Sequence, residues 1–183
     1  MERQPERASC LKPFEDTVLV HLDAAYNLAR WLTRDDAAAD DAVQEACLRA
    51  YRFFGAQDGP NVKAWFLAIV RNVCIDGLAA RRAGAQNEPY DDELHGDGVS
   101  PGAIESPESA AARASDARWV RDCIATLPPE YREVIVLREL EELSYKEIGA
   151  IVEVPLGTVM SRLARARDLL QQRLTATRRW RDA

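Results

Sequence analysis

The sequence contains few of the residues that bind metals or carry out catalysis. Its 183 residues include only two histidines, His21 and His95, and four cysteines that lie far apart with no C-x-x-C pair. This spacing argues against a zinc site. Cys47 and Cys74 fall on apolar helix faces and are expected to be small buried residues. Phosphate-binding and metalloprotease motifs are absent, so we expect no catalytic centre, no metal and no cofactor.

Long hydrophobic runs and strand-like alternation are also absent. No apolar stretch is long enough to span a membrane, and residues 1–7 lack a signal-peptide core. Apolar residues instead recur every three and four positions, as in amphipathic helices. We therefore expect an all-α, cytoplasmic protein with no membrane insertion and no small-molecule substrate.

Composition divides the chain into two helical parts. From residue 85 to residue 115 it has little aliphatic content and a strong acidic excess, so it cannot offset the entropy lost on ordering. We interpret this stretch as a flexible linker, either an inert spacer or a mimic of a nucleic-acid polyanion. The expected parts are a flexible N-terminus (1–13), a first domain (14–84), the linker (85–115), a second domain (116–175) and a basic tail (176–183).

Charge is segregated along the chain, although the net charge is −6. Seven arginines against two aspartates lie between Thr158 and the C-terminus, whereas acids cluster at residues 35–45 and in the linker. This asymmetry indicates basic surfaces for nucleic acid and an acidic surface for a basic protein partner.

Residues 144–170 have the pattern of a helix-turn-helix. Ser144 and Glu147 have capping-box spacing, and Pro155 and Gly157 mark a turn about two helical turns later. The second helix then carries an apolar stripe, which consists of Val159, Leu163, Ala166 and Leu170. A short basic helix of this kind can enter a DNA major groove, and the alternative is an ordinary helical hairpin on the surface.

These residues also carry a family resemblance. Residues 127–134 (LPPEYREV), 142–148 (ELSYKEI) and 155–159 (PLGTV) resemble region 4 of the extracytoplasmic-function sigma factors, the compact group of the sigma-70 family. In the first part, residues 41–51 resemble region 2.2, and residues 64–76 resemble regions 2.3 and 2.4. The resemblance covers about residues 14–82 and 117–174.

The resemblance implies three functional surfaces on two small helical domains, the region 2 bundle and the region 4 helix-turn-helix. Residues expected to dock on core RNA polymerase are Asp40, Asp41, Gln44, Glu45 and Arg49. Residues expected to bind and open the −10 promoter element are Asn61, Val62, Lys63, Trp65, Arg71, Asn72, Arg81 and Arg82. Residues expected to read the −35 element are Thr158, Met160, Ser161, Arg162, Ala164 and Arg165.

Particular roles follow within these sets. Asn72 is expected to bond a flipped base, with the loop at Asn61 shaping its pocket, whereas Trp65 is more typical of a core residue than of a base platform. Arg81 and Arg82 are expected to contact phosphates. Family members often have a basic residue at the position of Met160 and a larger side chain at that of Ala164, so their promoter sequence does not carry over.

The sequence therefore predicts an alternative sigma factor that binds core RNA polymerase and promoter DNA and has no catalytic activity. Family membership also implies an anti-sigma factor as partner. Three rivals stay open: a helix-turn-helix factor that acts without polymerase, a sigma mimic that titrates an anti-sigma factor, and, last, a cysteine-dependent enzyme.

Overall fold

A computed structural model describes residues 13–56, 61–84 and 107–181 of the chain. Within these ranges the regular structure is helical and contains no strand, which confirms the all-α prediction. A short helical stretch (13–17) and a 3₁₀ turn (Leu19–His21) come first. The α-helices that follow are α1 (Leu22–Thr33), α2 (Asp36–Phe53), α3 (Val62–Gly84), α4 (Pro107–Ala125), α5 (Pro129–Ile135), α6 (Tyr145–Val152) and α7 (Leu156–Arg181).

Helices α1, α2 and α3 pack on one another and form the first unit. Its core contains fully buried leucine, valine and phenylalanine side chains, with Phe66 and Leu28 among the largest. Phe14 closes one end, where its ring meets those of Tyr51 and Phe54 edge-on at centroid distances of 5.3 and 5.4 Å. Such aromatic pairs stabilise by about 0.5–1.5 kcal/mol beyond the area they bury.

The junction between α1 and α2 has local causes. Arg34 ends α1 in the left-handed conformation, with φ of 60°. Asp35 then caps α2, because its carboxylate accepts a 2.7 Å hydrogen bond from the amide of Ala38. Helix α2 consequently starts at Asp36.

Helices α4 to α7 form the second unit, in which α6 and α7 are the helix-turn-helix. A π turn (Val136–Leu140) follows α5, and the amide of Glu141 donates to the carbonyl of Val136 five residues earlier. Helix α4 begins inside the predicted linker, because Pro107 suits the first helical position and the alanines that follow favour helix. Helix α4 therefore overlaps the C-terminal part of the segment interpreted as a linker, residues 107–115.

The C-terminal boundary also differs from the sequence interpretation. Helix α7 continues to Arg181, through most of the segment that composition sets apart as a tail. The acidic residues from Glu88 to Glu105 lie outside the described residues. The hypothesis that the linker mimics nucleic acid concerns these residues and therefore stays a prediction.

The two units share one continuous apolar core instead of standing apart. The contact is made chiefly by α3 against α6 and by α1 against α5. Arg132 is 7% exposed and links both sides: its guanidinium donates to Ala125 and Leu127 at 2.8 Å and to the carbonyl of Trp31 at 3.4 Å. The sequence predicts two tethered domains and does not predict this packing.

Among the described helices, none is both long enough and apolar enough to cross a membrane.

Candidate nucleic-acid and polymerase interfaces

Helix α7 packs on the second unit through the predicted apolar stripe. Val159, Leu163 and Ala166 are at most 1% exposed, and Leu170 is half-buried. They pack on the rest of the second unit, chiefly on α5 and α6. Since residues at this spacing share one face, the opposite face of α7 is left to solvent.

That opposite face carries the side chains that are predicted to read DNA. Met160, Ser161, Ala164 and Arg165 are exposed, with Met160 at 53%, while Thr158 and Arg162 flank them and are half-buried. The hydroxyl of Ser161 donates to the carbonyl of Thr158 at 3.0 Å. The face is therefore short, polar and cationic, with one exposed thioether.

Helix α6 begins with the predicted capping box. Ser144 accepts from the amide of Glu147, and the Glu147 carboxylate in turn accepts from the Ser144 amide at 2.7 Å. The hydrogen bonds from Ser144 lower the pKa of the Glu147 carboxyl. The cap therefore defines where the helix-turn-helix starts.

The turn itself differs from the prediction. Glu153, with φ of 56°, supplies its left-handed residue, whereas Gly157 already lies inside α7 and a Cβ there would meet nothing within 4 Å. The glycine that the turn requires is Gly149, where a Cβ would lie 3.1 Å from the carbonyl oxygen of Val154 and 3.6 Å from Val159. The sequence pattern does not predict this role of Gly149, because a close approach to the following turn and helix leaves no local pattern.

Two further contacts join the π turn to the helix-turn-helix, one to each of its helices. Arg167 donates to one carboxylate oxygen of Glu139 at 2.7 and 3.2 Å, and this pairing raises the pKa of the guanidinium. The guanidinium of Arg138 lies 5.2 Å from the ring centroid of Tyr145, at the start of α6. The Arg167 pair thus joins α7 to the π turn, and the Arg138 contact joins α6 to it; the sequence pattern predicts neither contact.

The predicted polymerase-docking residues lie on one side of α2. Asp40, Asp41 and Gln44 are exposed, whereas Glu45 and Arg49 are half-exposed and pair with each other at 2.8 Å. This hydrogen bond to Glu45 raises the pKa of Arg49, which also reaches Asp76 of α3 at 3.5 Å. This set of residues is mainly acidic, and the charge of its arginine, Arg49, is partly balanced by the carboxylates of Glu45 and Asp76.

The predicted −10 residues do not form a single cluster. Asn61 caps α3 by accepting from the amide of Ala64 at 3.0 Å, and Lys63 follows two residues later, in the first turn of the helix. Asn72 is exposed nine residues beyond Lys63, about 14 Å along the helix axis at the usual rise per residue. Asn61 and Lys63 therefore lie well apart from Asn72 along α3, and the base pocket to which all three are assigned stays a prediction.

The other members of the set fall on different faces. Arg81 and Arg82 are exposed near the end of α3, as phosphate contacts require. Val62 and Trp65 are half-buried and pack against the core, so Trp65 has the core position that the sequence favours.

Three of these residues meet the second unit. Asn61 donates to Glu147, and Arg71 pairs with Glu133. Lys63 lies 3.0 Å from the Glu141 carboxylate and donates to the Glu141 carbonyl at 2.9 Å. Asn27 of α1 donates to the other oxygen of that carboxylate at 2.6 Å. No local pattern in the sequence predicts Asn27, Glu133 and Glu141 as interface residues.

The thiols in the described part of the chain have the properties of core residues. Cys74 is 1% exposed, and burial raises the pKa of its thiol to about 11. Burial also raises the pKa of Cys47 and Cys123. Because the thiolate is the reactive form, these cysteines are poor nucleophiles. No group of three potential metal ligands occurs among the described residues.

Family models match both units. The sigma-70 region 2 model matches residues 17–84, and the sigma-70 region 4 model matches residues 117–170. The chain is 31% identical to ECF RNA polymerase sigma factor SigW of Bacillus subtilis, over 88% of each chain. It is 32% identical to the RNA polymerase sigma-H factor of Pseudomonas aeruginosa, over 89% of this chain and 86% of that one.

A solved structure extends the similarity to the arrangement of both units. The sigma factor RpoE of Bartonella quintana, solved in complex with the anti-sigma factor NepR, superposes with a TM-score of 0.76 at 26% identity. The superposition covers 90% of this chain and 98% of that one. Together these findings show that the chain belongs to the extracytoplasmic-function group of the sigma-70 family of RNA polymerase sigma factors.

Proposed function

We propose that this sigma factor docks on core RNA polymerase through the acidic side of α2 and contacts promoter DNA through α3 and α7. In this scheme α7 reads the −35 element and α3 binds and opens the −10 element. The protein itself carries out no chemical step, and it acts where the polymerase acts, in the cytoplasm. Its region 2 unit is proposed to span residues 14–84, and its region 4 unit is proposed to span residues 116–175.

The exposed face of α7 is the observation that carries this proposal. Three buried side chains fix one side of the helix against the second unit, so Ser161 and Arg165 project from a rigid support. Rigid presentation of polar groups from a helix is what major-groove reading requires. Arg162 and Arg173 add positive charge along the same helix, which favours phosphate contacts.

The acidic side of α2 supports docking on a basic partner. Exposed Asp40 and Asp41 can hydrogen-bond to arginines and lysines and can steer the encounter electrostatically. Because the sigma factor from Bartonella quintana was solved with an anti-sigma factor, we also propose that an anti-sigma protein binds this chain.

In vitro transcription with purified core polymerase tests the proposal. A library of promoter fragments is transcribed with core enzyme alone and with core enzyme plus this protein. We expect specific run-off products only when the protein is present. Core binding without any product would favour the sigma mimic, and DNA binding without core binding would favour a factor that acts without polymerase.

A further inference from the structure

Part of the exposed face of the recognition helix α7 is apolar. Leu156 and Met160 are 52% and 53% exposed, and Ala164 is exposed one turn further along. Residues four apart lie on neighbouring turns of one helix face, so these three side chains form a continuous row. None of them belongs to the buried stripe that packs α7 on the second unit. We call Leu156, Met160 and Ala164 the apolar row.

The two large residues of the apolar row differ from the other exposed apolar residues in the described part of the second unit. These exposed residues are Val120, Leu140, Leu156 and Met160. Val120 lies in α4 and Leu140 in the π turn, whereas Leu156 and Met160 are four residues apart at the start of one helix. Single apolar side chains on a surface require no explanation, but contiguous ones mark a contact surface. The apolar row is therefore a candidate contact surface.

A polar row runs beside the apolar row and indicates which kind of partner it contacts. Gly157, Ser161 and Arg165 are also four apart, and all three are exposed. A Cβ on Gly157 would meet nothing within 4 Å, so access to the start of the helix is open. The cationic guanidinium of Arg165 favours a polyanion, and the N-terminal residues of a recognition helix are the ones that contact base edges. These properties favour base edges in a major groove over an apolar protein surface as the partner.

The major groove offers one group that matches an apolar side chain. Base edges there present hydrogen-bond donors and acceptors, and the C5-methyl group of thymine is the apolar exception. The side chains of the apolar row cannot donate a hydrogen bond. Pressing them on the polar edge of a G·C pair therefore removes water from donors and acceptors without replacing its hydrogen bonds. Contact with a thymine methyl group instead buries apolar surface on both sides.

Met160 is the member of the row best suited to this contact. It lies between Leu156 and Ala164, and its side chain is long and unbranched, so it can adapt to the position of a methyl group. A basic residue at this position, which family members often have, can bond guanine instead. The thioether of Met160 removes that possibility and leaves an apolar contact in its place.

We propose that the apolar row reads thymine methyl groups in the −35 element, and that Met160 is the residue that selects a T·A pair at one position. Ser161 and Arg165, in the adjacent row, supply the polar contacts to neighbouring groups of the DNA. This inference rests on the proposed role of α7 in −35 reading, and it adds the chemical group that the helix selects.

The test removes the methyl group and nothing else. In a promoter that the holoenzyme transcribes, each thymine of the −35 element is replaced singly by deoxyuridine, which keeps the base pair but lacks the C5-methyl group. Affinity is measured by fluorescence anisotropy for holoenzymes that contain wild-type protein, Met160→Ala or Leu140→Ala. Leu140→Ala is the matched control, because it shortens an exposed apolar side chain (44% exposed) of the same unit outside α7.

We expect the wild-type holoenzyme to lose about fourfold in affinity at one thymine position, which is the value of one buried methyl-sized group. Met160→Ala should bind the thymine and deoxyuridine fragments equally, whereas Leu140→Ala should retain the wild-type difference. The inference is overturned if no thymine is sensitive in the wild type, or if Met160→Ala keeps the full sensitivity. Promoter binding that Met160→Ala leaves unchanged would also overturn it, and would assign the row to a protein partner instead.

A second variant tests the same contact through specificity. Met160→Arg keeps a long unbranched side chain but replaces the thioether by a guanidinium, which bonds guanine. A promoter library randomised at the −35 element is transcribed with each holoenzyme, and the products are sequenced. We expect wild type and Leu140→Ala to prefer thymine at the methyl-sensitive position, and Met160→Arg to shift this preference towards guanine. An unchanged preference for thymine would contradict the role of Met160.

Failure of the proposed function gives a different result. The wild-type protein then directs no transcription from any promoter, which overturns both proposals. A wild-type protein that transcribes specific promoters but has no methyl-sensitive thymine in the −35 element refutes this inference alone.

Discussion

Two arginines of the recognition helix lie two residues apart but have different surroundings, which allows a sharp test of −35 reading. Arg165 is exposed on the face opposite the buried stripe. Arg167 instead donates to Glu139 at 2.7 and 3.2 Å. Each arginine is changed to alanine in the full-length chain. The helix, the charge removed and the number of lost side-chain atoms are then the same in both variants.

The expected magnitudes follow from these surroundings. If Arg165 contacts DNA, its loss should cost about 1–3 kcal/mol of promoter binding, or about 5- to 150-fold in affinity. A phosphate contact should also reduce the slope of log affinity against log salt by about 0.9. The Arg167 pair is about half exposed on both sides, so its loss should cost only about 0–1 kcal/mol of folding stability.

The assay is fluorescence anisotropy of holoenzyme on a promoter fragment, with salt varied between about 50 and 200 mM. A base contact should relax discrimination at one −35 position, whereas a phosphate contact should weaken all sequences evenly. The reasoning is refuted if Arg165→Ala leaves affinity and salt slope unchanged, or if Arg167→Ala loses more promoter affinity than Arg165→Ala does.

Three further predictions concern the other surfaces. Replacing Asp41 and Glu45 by lysine should cost several kcal/mol of core polymerase binding, because it places like charge against a basic partner; unchanged affinity in a core-binding titration would remove this surface from the mechanism. Asn72→Ala should form a closed complex but open the −10 region poorly, and normal permanganate reactivity would contradict that role. The pKa of Glu147 is lowered in the folded state, so its contribution to stability is present above the unfolded value of 4.5 and is lost as pH falls through the folded value. Denaturant unfolding at pH 7 and pH 4 should therefore show a smaller loss on acidification for Glu147→Gln than for wild type.

Much of the site could be predicted from local pattern. Ser144 and Glu147 are three residues apart, and a helix start brings such residues together whatever the rest of the chain does. Val159, Leu163 and Ala166 share a face because the helix repeats every 3.6 residues. The family resemblance added the roles of the surfaces, which no periodicity contains.

Helix boundaries were predicted less well where composition and local propensity disagree. Acidic composition placed residues 107–115 in a linker, yet Pro107 and the alanines that follow begin α4 there. Gly157 was assigned to the turn because glycine commonly marks turns, whereas Glu153 provides the left-handed residue.

The sequence by itself determined that the chain is helical, where its recognition helix lies and which side chains that helix exposes, since these depend on residues within a few turns of one another. Only the tertiary structure decided that the second unit packs against α3, beside residues that are proposed to bind the −10 element. The contacts responsible join residues 62, 78 and 86 positions apart in the chain. Their formation depends on how α3 packs against α5 and α6. The local sequence around a glutamate at a helix start or on a turn is the same whether its carboxylate faces water or a lysine of the other unit. The packing of the two units therefore determines the partner.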